Sequence, residues 1–460
     1  MTQELSRRLF LSSSAAAVGY FFTASKLSAV RAADSPNDKL HFAGIGVGGK
    51  GSSDIDQAGK LGEVIALCDI DEINLEKKAT TFTTAEKFID YRKMFDKIGK
   101  QIDAVLVSTP DHSHALPSIM AMRMKKHVYV QKPMTHSVFE ARMMRETAKK
   151  YGVCTQMGNQ GTAENGLRRA VELVQSGVLG KISEVHVWTN RPIWPQAPGV
   201  TKRPTEKMEV PKHVHWDEFL GPAPERPYAK GYHPFAWRGW LDFGTGALGD
   251  MACHTANMAF MALKLGHPST AEATAGDVNQ ETYPSWAHVI LNFPARGDMP
   301  AVKWNWYEGK KDGKKVLPPE ELLAKLLKKD EKLADSGSIL VGDKGILFSP
   351  NDYGAQFTLV GEGFENMNLT KPEKLPINGK GDQGMKNEWV EAIRSGKPAT
   401  ALSNFDYSGM LTEAVLLGNV AIRSGKKLQW DGPNLRCSNS KEADQFIRRE
   451  YRKGWDITEA

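Results

Sequence analysis

The sequence predicts an α/β protein in which a doubly wound parallel sheet is followed by a second α/β domain with one large antiparallel or mixed sheet. Three observations predict this fold. Strand-like and helix-like segments alternate over residues 39–158, a glycine-rich turn follows the first strand, and several segments with alternating apolar residues follow residue 182. Strand–helix alternation is typical of a parallel sheet, whereas consecutive strands are typical of an antiparallel one.

The composition is that of a soluble globular protein. The chain has 460 residues, 25% charged and 41% hydrophobic, and at about 100–200 residues per domain it can form two or three domains. The formal net charge of +6 is too small to indicate nucleic acid as a partner. The four cysteines show no C-x-x-C spacing, which excludes a disulfide scaffold, a zinc ribbon and a thioredoxin motif.

The first 32 residues are predicted to be an export signal. Leu9 to Ser25 carry no charge, but the run is short for a spanning helix of about 20 residues. Arg7 and Arg8 precede it as in the twin-arginine signal, and small residues around Arg31 suit a signal peptidase. The alternatives are an ordinary N-terminal helix or an uncleaved anchor. We expect a linker at 33–38, export of the folded protein to the periplasm through the twin-arginine machinery, and no membrane span after processing.

A dinucleotide site is predicted at the first turn. The strand at 40–45 leads into residues 46–51, which fit G-x-G-x-x-G. Gly46 permits the tight turn, Gly48 lets the backbone approach a pyrophosphate, and Gly51 lets the helix pack on the strand. With a strand before it and a helix after it, the motif indicates a Rossmann domain.

The second strand, 63–68, ends at Asp69, which stands where an acid accepts hydrogen bonds from the adenosine ribose. Because a 2′-phosphate would meet the charge of this carboxylate, we expect NAD, with NADP possible.

Further strands at 103–108, 127–130 and near 153–156, with a helix over 137–150, extend the parallel sheet over residues 39–158. Ligands bind beyond the carboxyl ends of such strands, so the loops that follow them should rim one cleft. His112 and His114 could imitate metal ligands, but we interpret them as cofactor contacts and expect no metal. The predicted cofactor-binding residues are Gly46, Gly48, Gly49, Lys50, Gly51, Asp69, Ser108, Thr109, Pro110, His112, His114, Gln131, Lys132 and Asn159.

The second domain is predicted over residues 159–432, with a tail at 433–460. Its predicted elements are a helix at 166–176, a strand at 182–188, a helix at 246–265, strands at 269–279, 286–293 and 301–307, and helices at 385–394 and 407–424. Residues 191–240 form a long loop rich in proline and tryptophan, which is typical of a functional loop. Residues 308–335 are dense in Lys and Glu, and we expect a solvated helical excursion there.

Three residues are candidates for catalysis. Asp250 and His254 are four residues apart, so they share one helix face. A histidine can take the proton of a hydroxyl while a carboxylate orients the imidazole, and Lys132, at a strand end, can polarise the reacting oxygen. The alternative is a surface ion pair and a solvated lysine.

Together, the glycine loop, Thr109-Pro110, Lys132-Pro133 and the Asp250-x-x-x-His254 helix resemble the Gfo/Idh/MocA oxidoreductase family, in particular its exported members. The resemblance implies a Rossmann domain and a C-terminal α/β domain with an open, mainly antiparallel sheet, whose last helices partly pack back on the Rossmann domain. It also implies Lys132, Asp250 and His254 as the catalytic set and a homo-oligomer, a dimer or tetramer, that pairs through the open sheet. One residue departs from the family pattern, because Gln131 replaces the usual glutamate before the lysine.

The predicted function is that of an NAD(P)-dependent oxidoreductase, which transfers hydride between a secondary alcohol of a sugar, sugar derivative or cyclitol and a tightly bound nicotinamide cofactor. The alternatives are an NAD-dependent glycoside-cleaving enzyme and a non-catalytic protein that binds sugar or nucleotide. Aromatic rings stack on the C–H groups of a sugar, and arginine donates hydrogen bonds to its hydroxyls, so such side chains in the loop 191–240 suit a sugar. The same side chains can equally serve to pack this long loop. The predicted substrate-binding residues are Lys132, Tyr232, His233, Trp237, Arg238 and His254.

Overall fold

The computed structural model describes residues 39–193 and 202–458. The predicted signal peptide, residues 1–32, and the linker, 33–38, lie outside the described residues, as does Trp194 of the long loop. None of the helices in the described ranges is long and apolar enough to cross a membrane.

The N-terminal half forms a six-stranded sheet with all neighbours parallel, which confirms the predicted doubly wound fold. Its strands are β1 (His41–Ile45), β2 (Glu63–Cys68), β3 (Glu86–Phe88), β4 (Ala104–Val107), β5 (His127–Val130) and β6 (Thr155–Met157), in the order β3-β2-β1-β4-β5-β6. The strand order reverses between β1 and β4, and ligands bind at the carboxyl ends of strands beside such a point.

Five helices cover this sheet: α1 (Gly49–Gly59), α2 (Glu72–Ala79), α3 (Tyr91–Ile98), α4 (Ala115–Arg123) and α5 (Val138–Tyr151). All residues of β4 and β5 are buried, as expected for strands covered on both faces. Helix α5 begins with a capping box, in which Ser137 and Glu140 each accept a hydrogen bond from the other's backbone N–H, and it ends at Gly152 in the left-handed conformation.

The second half forms a ten-stranded, mainly antiparallel sheet, as predicted, with only β7 and β10 paired in parallel among its described neighbours. Its strands are β7 (Ile182–Trp188), β8 (Thr270–Gly276), β9 (Trp286–Phe293), β10 (Val302–Lys311), β11 (Lys314–Lys315), β12 (Gly337–Gly342), β13 (Ile346–Ser349), β14 (Thr358–Val360), β15 (Leu428–Asp431) and β16 (Arg436–Cys437). The order is β14-β13-β12-β7-β10-β9-β8-β15-β16, and β11 pairs with β10. The sheet therefore continues past residue 432, where the predicted domain ends.

The helices of this half are α6 (Asn165–Gln175), α7 (Trp216–Leu220), α8 (Gly246–Thr255), α9 (Asn257–Ala262), α10 (Glu320–Leu323), α11 (Gly381–Ser395) and α12 (Phe405–Ser424). Helix α12 is buried between α5, α8 and the strands β8 and β9. Helix α11 packs on the first sheet instead, where Trp389 contacts the rings of Phe42 and Tyr129.

Two predicted elements differ from the structure. The predicted helix 246–265 is divided into α8 and α9, with Ala256 between them. The charged segment 308–335 is not a solvated helix, because only α10 is helical and leucines of the segment, such as Leu322 and Leu326, pack on Trp188 and Tyr307 of the second sheet. The apolar residues interspersed among its charges determine where it lies.

Candidate active site

The glycine loop between β1 and α1 needs its glycines for close backbone packing. Gly46 has φ +76°, and a Cβ there would lie 2.8 Å from the carbonyl of Ser108. A Cβ on Gly51 would lie 1.8 Å from the carbonyl oxygen of Gly46. Side chains at either position would therefore displace the backbone of the loop.

Asp69, at the end of β2, holds this loop in place. Its Oδ2 accepts hydrogen bonds from the backbone N–H groups of Val47 and Gly48, at 2.8 and 3.0 Å, and its Oδ1 accepts one from Asp71. Burial raises the pKa of Asp69 to about 6, although these three hydrogen bonds lower it. The predicted contact with a ribose remains a prediction.

A cavity of about 440 Å³ opens at the carboxyl ends of the parallel strands, within the range of about 300–1,000 Å³ typical of small-molecule sites. The Oγ1 of Thr109 is buried in its wall without a hydrogen-bond partner in the described part of the chain. These features fit a dinucleotide: the unpartnered hydroxyl of Thr109, the glycine loop after β1, and Asp69 at the end of β2. The predicted cofactor residues that line the cavity are Gly46, Gly48, Gly49, Lys50, Asp69, Ser108, Thr109, Pro110, His114, Gln131 and Lys132.

Three predicted cofactor residues do not line this cavity. Gly51 lies behind the loop, where its role is packing. Asn159 is fully buried, donates to the carbonyl of Cys253 and accepts from Ser403, so it ties β6 to the second domain.

His112 is buried too, with its Nε2 2.7 Å from the carbonyl oxygen of Phe219 and its Nδ1 3.3 Å from that of Phe243. Burial lowers the pKa of His112 to about 3, so the ring is neutral and donates only one hydrogen bond. The shorter contact assigns that bond to the Nε2 and the carbonyl of Phe219, which anchors α7. His114, which does line the cavity, is held in a similar way by the carbonyls of Thr109 and Pro133.

Residues 213–245, here called the covering loop, cross the end of β2 and close one side of the cavity. The backbone of Glu72 donates to the carbonyl of His213, and the backbone of His215 donates to that of Ile70, both at 2.9 Å. The Nε2 of His233 lies 3.6 Å from the Oδ2 of Asp71. The covering loop is therefore attached where the adenosine end of a dinucleotide is expected.

Of the predicted sugar contacts in the covering loop, His233, Trp237 and Arg238 line the cavity. The guanidinium of Arg238 lies 4.2 Å from the ring centroid of Trp237. Tyr232 does not line the cavity: it is 1% exposed and packs against Trp216 and Trp240. The ring of Tyr232 belongs to the aromatic core of the covering loop, so its contact with a substrate stays a prediction that this position does not favour.

Lys132 and Asp250 meet in the cavity wall. The Nζ of Lys132, at the end of β5, lies 2.5 Å from the Oδ1 of Asp250 on α8 and also donates to the Asp250 carbonyl at 2.9 Å. Both side chains are largely buried, with 17% and 15% exposed. Burial alone would raise the pKa of Asp250, but the charge and hydrogen bond of Lys132 lower it to about 2. The Asp250 carboxylate is therefore ionised at neutral pH.

His254 lies one turn further along α8 and does not line the cavity. It is 4% exposed, its ring contacts the edge of Tyr353 at 5.0 Å, and its Nδ1 has no hydrogen-bond partner in the described residues. Burial, together with the charge of Lys132, lowers the pKa of His254 well below its usual value. The imidazole is therefore neutral and able to accept a proton, while the Asp250 carboxylate is engaged by Lys132.

Asp54 on α1 is a residue that the sequence did not single out. It is fully buried, and it accepts hydrogen bonds from Gln131 at 2.7 Å, Ser108 at 3.0 Å, Lys386 at 2.5 Å and Lys50 at 2.8 Å. Burial opposes its ionisation, but Lys386 and Lys50 lower the pKa of Asp54. Gln131 suits this position because an amide donates to a carboxylate, which an ionised glutamate cannot do.

Asp111 also lines the cavity. It is 4% exposed and accepts a hydrogen bond from the Thr245 hydroxyl at 2.7 Å. Burial raises the pKa of Asp111 to about 7. Within the described residues, no three His, Cys, Asp or Glu side chains converge to hold a metal ion.

Comparison with known proteins agrees with this geometry. Residues 40–159 match the NAD-binding Rossmann fold of the Gfo/Idh/MocA oxidoreductase family, and residues 164–297 match its C-terminal α/β domain. The chain belongs to the Gfo/Idh/MocA oxidoreductase family. The N-terminal half is thus an NAD-binding Rossmann domain, as the glycine loop predicts.

Curated relatives align with this chain over part of their length, and their names state different activities. The chain is 34% identical over 96 residues to 2,7-anhydro-N-acetylneuraminate hydratase of Escherichia coli K12, covering 20% of this chain and 26% of the hydratase. It is 28% identical over 131 residues to glucose-6-phosphate 3-dehydrogenase of Bacillus subtilis, covering 28% and 35%. A glycosyl hydrolase family 109 protein of Shewanella baltica OS195 is 29% identical over 157 residues, covering 32% and 34%. The chain thus spans only about a quarter to a third of the length of these relatives.

Two solved structures share the whole fold. Levoglucosan dehydrogenase in complex with NADH and levoglucosan has a TM-score of 0.57 at 15% identity, with 85% of this chain and 98% of that chain covered. An inositol dehydrogenase homologue from Azotobacter vinelandii, complexed with NADH and myo-inositol, has a TM-score of 0.58 at 14% identity, with 86% and 98% covered. At this identity, the likeness establishes the fold of both domains.

Proposed function

We propose that this protein is an NAD-dependent dehydrogenase that oxidises a secondary alcohol of a sugar, a sugar derivative or a cyclitol. The observation that carries the proposal is the buried Lys132–Asp250 ion pair, which lines the same cavity as the glycine loop. A cation in a partly desolvated wall beside a dinucleotide site can stabilise negative charge that develops on a reacting oxygen.

Bound at the glycine loop, NAD supplies the hydride acceptor. Lys132 donates a hydrogen bond to the substrate hydroxyl and stabilises the oxygen as it loses its proton. Asp250 fixes the lysine ammonium in the cavity wall and, because its own pKa is low, keeps a negative charge beside it.

Two residues are able to take the proton. We assign it to His254, which lies one helical turn from Asp250 and whose buried Nδ1 has no hydrogen-bond partner among the described residues. Asp111 is the competing acceptor, because it lines the cavity and its pKa lies at about 7. The two assignments differ in their pH dependence, since Asp111 accepts a proton only when it is ionised.

A polyhydroxylated ring is the substrate class that the cavity wall supports. Trp237 offers an apolar face to the C–H groups of a ring, whereas Arg238 and His233 offer hydrogen bonds to hydroxyls. The dehydrogenases of glucose 6-phosphate, levoglucosan and inositol among the similar proteins act on molecules of this class by their names.

The attachment of the covering loop at Ile70 and Glu72 supports slow release of the cofactor. A cofactor that stays bound also suits a second candidate, glycoside cleavage through oxidation, elimination and reduction, in which NAD is regenerated in each cycle. The Shewanella baltica relative named as a glycosyl hydrolase favours this candidate. Net formation of NADH from a free sugar identifies the dehydrogenase, whereas release of a glycoside's leaving group without net NADH identifies the second candidate.

The proposal is tested by denaturing the purified protein and identifying the nucleotide that is released. We expect NAD in near-stoichiometric amount, or its tight binding when it is added to stripped protein. A protein that neither contains nor binds a nicotinamide nucleotide would contradict the proposal, and the Gly51→Ala variant, in which the added Cβ overlaps the Gly46 carbonyl, serves as the non-binding control.

We propose further that the protein is exported by the twin-arginine route. We also propose that it forms a dimer or tetramer through the open face of the second sheet, where alternate residues of β9, such as His288 and Ile290, are only half-buried. Replacing Arg7 and Arg8 by lysine should leave the precursor in the cytoplasm. A monomeric mass at micromolar concentration would contradict the oligomer.

A further inference from the structure

A second cavity, of about 210 Å³, lies away from the dinucleotide site. Its wall combines the start of α5, the end of α12, the segment 241–242 with residues 280 and 283, and the C-terminal residues 445–450. We propose that this cavity binds a small oxyanion that also carries a hydroxyl group, such as hydrogen phosphate or a short hydroxycarboxylic acid.

The anionic part of the ligand is inferred from the arginines. Arg423 lies in the cavity wall with only a ring contact, 4.2 Å from the centroid of Phe446, and forms no ion pair or hydrogen bond with the described residues. Toward the described residues, Arg449 donates only one long hydrogen bond, 3.4 Å, to the carbonyl of His112. Burial lowers the pKa of Arg423 below its usual range, which shows that this guanidinium is desolvated without a full counter-charge.

Acidic groups near the wall offset these two arginines only in part: the charge of Asp242 acts on Arg423, and the charge of buried Glu140 acts on Arg449. Arg448 adds a third cation and lies 3.7 Å from Asp456. Asp242 is already paired with Arg226 at 3.2 Å and lies 3.8 Å from Arg203. Glu450 is exposed to solvent. The cavity therefore retains an excess of positive charge.

The hydroxyl part of the ligand is inferred from two buried acceptors. Asn419 is 6% exposed, and its Nδ2 donates to the carbonyl of Thr245, but its Oδ1 has no partner in the described residues. The Nε2 of His136 lies 2.9 Å from the carbonyl oxygen of Leu241, so this nitrogen carries the proton and the buried, unpartnered Nδ1 is an acceptor. Both residues line the cavity. An O–H donor on the ligand would satisfy an acceptor that a bare anion leaves unpaired.

The size of the cavity limits the ligand further. Since one water occupies about 30 Å³ of liquid, the cavity holds a few non-hydrogen atoms rather than a nucleotide or a disaccharide, whose sites are larger than about 300 Å³. Two residues of the wall form hydrogen bonds to the segment that precedes α8. Asn419 donates to the carbonyl of Thr245, and His136 donates to that of Leu241. An occupant would thus brace the segment that leads to Asp250.

The test uses the full-length processed protein saturated with NAD, so that the glycine loop cannot report phosphate binding. The melting temperature is measured at constant ionic strength in two series of added anions. The first series compares phosphate with sulfate, and the second compares glycolate with acetate. We expect saturable stabilisation by phosphate, glycolate or both, and at least about tenfold weaker binding of sulfate and acetate, which lack the hydroxyl donor at neutral pH. Stabilisation by phosphate alone identifies the ligand as a phosphate, and stabilisation by glycolate alone identifies it as a hydroxycarboxylic acid.

Variants assign the effect to this cavity. Arg423→Gln should weaken the binding at least about tenfold, because a charge-assisted hydrogen bond is lost, and Arg449→Gln provides a second test if Arg423→Gln does not fold. Arg436→Gln is the matched control, since Arg436 is an exposed arginine paired with Asp431. The proposal is overturned if none of the anions raises the melting temperature saturably. It is also overturned if sulfate binds as tightly as phosphate and acetate as tightly as glycolate, or if Arg423→Gln and Arg436→Gln bind the anion equally well.

Discussion

The side-chain amide of Gln131 lies 2.7 Å from the carboxylate of Asp54, so the residue immediately before Lys132 is fixed to the helix that follows the glycine loop. Asp54 also accepts a hydrogen bond from Lys386 on α11, a residue 332 positions further along the chain. One buried carboxylate therefore connects the end of β5, the dinucleotide loop and a C-terminal helix.

This contact predicts that Gln131→Glu is destabilising. The new carboxylate would replace the amide donor and face Asp54, so the free energy of unfolding should fall by about 1–3 kcal/mol. The double variant Gln131→Glu with Asp54→Asn restores a donor–acceptor pair beside Lys386 and should recover most of the loss. Equal melting temperatures of the wild type and the single variant would show that the contact does not matter.

Lys132→Met should lower kcat/KM by roughly 10²–10³-fold, the usual cost of a lost hydrogen-bond donor to a developing oxyanion. Asp250→Asn should lower it less, because the lysine remains but loses its counter-charge. Lys87, which pairs with Glu76 on the surface of the same domain, provides the control variant Lys87→Met with unchanged kinetics. Near wild-type turnover in Lys132→Met would remove this residue from the mechanism.

NAD should bind more tightly than NADP. Asp69 is a buried carboxylate at the end of β2, and a 2′-phosphate at the adjacent ribose would meet its charge. The measurement is titration of stripped protein with each nucleotide. If NADP binds at least as tightly, Asp69 serves only to hold the glycine loop through Val47 and Gly48.

Asp111 predicts a pH dependence of stability. Its pKa is about 7 in the folded protein and 3.8 ordinarily, so the folded state binds the proton more tightly than the unfolded state. The stabilisation is complete below about pH 4 and is lost as the pH rises through about 7. The melting temperature of the wild type should therefore fall relative to that of Asp111→Asn across this range. A difference that stays constant with pH would show that folding does not raise the pKa of Asp111.

The sequence predicted the elements whose pattern is local. β2, β5, β7 and β9 have the predicted bounds, because continuous apolar runs and strict alternation between turn residues mark strands well. The glycine loop was also predicted from its spacing, and Lys132 and Asp250 were named as catalytic candidates from the family resemblance. Their ion pair was not predicted, because Asp250 was expected to orient His254.

Contacts between distant segments could not be predicted in the same way. Asp54 lies in a polar stretch of α1, and nothing local shows that Lys386 reaches it. Tyr232 and His112 have the residue types of a binding site, but the covering loop needs a core of its own and uses them for packing and anchoring. His233 and Arg238 have similar residue types but line the cavity, whereas Tyr232 and His112 are buried away from it. Only the folded structure shows this difference.

The most direct test of the account is single-turnover reduction of protein-bound NAD by a panel of sugars and cyclitols, followed by the absorbance of the reduced nicotinamide. If the protein is the proposed dehydrogenase, at least one member of the panel reduces the bound NAD rapidly in the wild type and in Lys87→Met, and slowly in Lys132→Met and His254→Ala. Reduction at wild-type rates in both Lys132→Met and His254→Ala, or no reduction by any sugar or cyclitol, would contradict the proposed dehydrogenase.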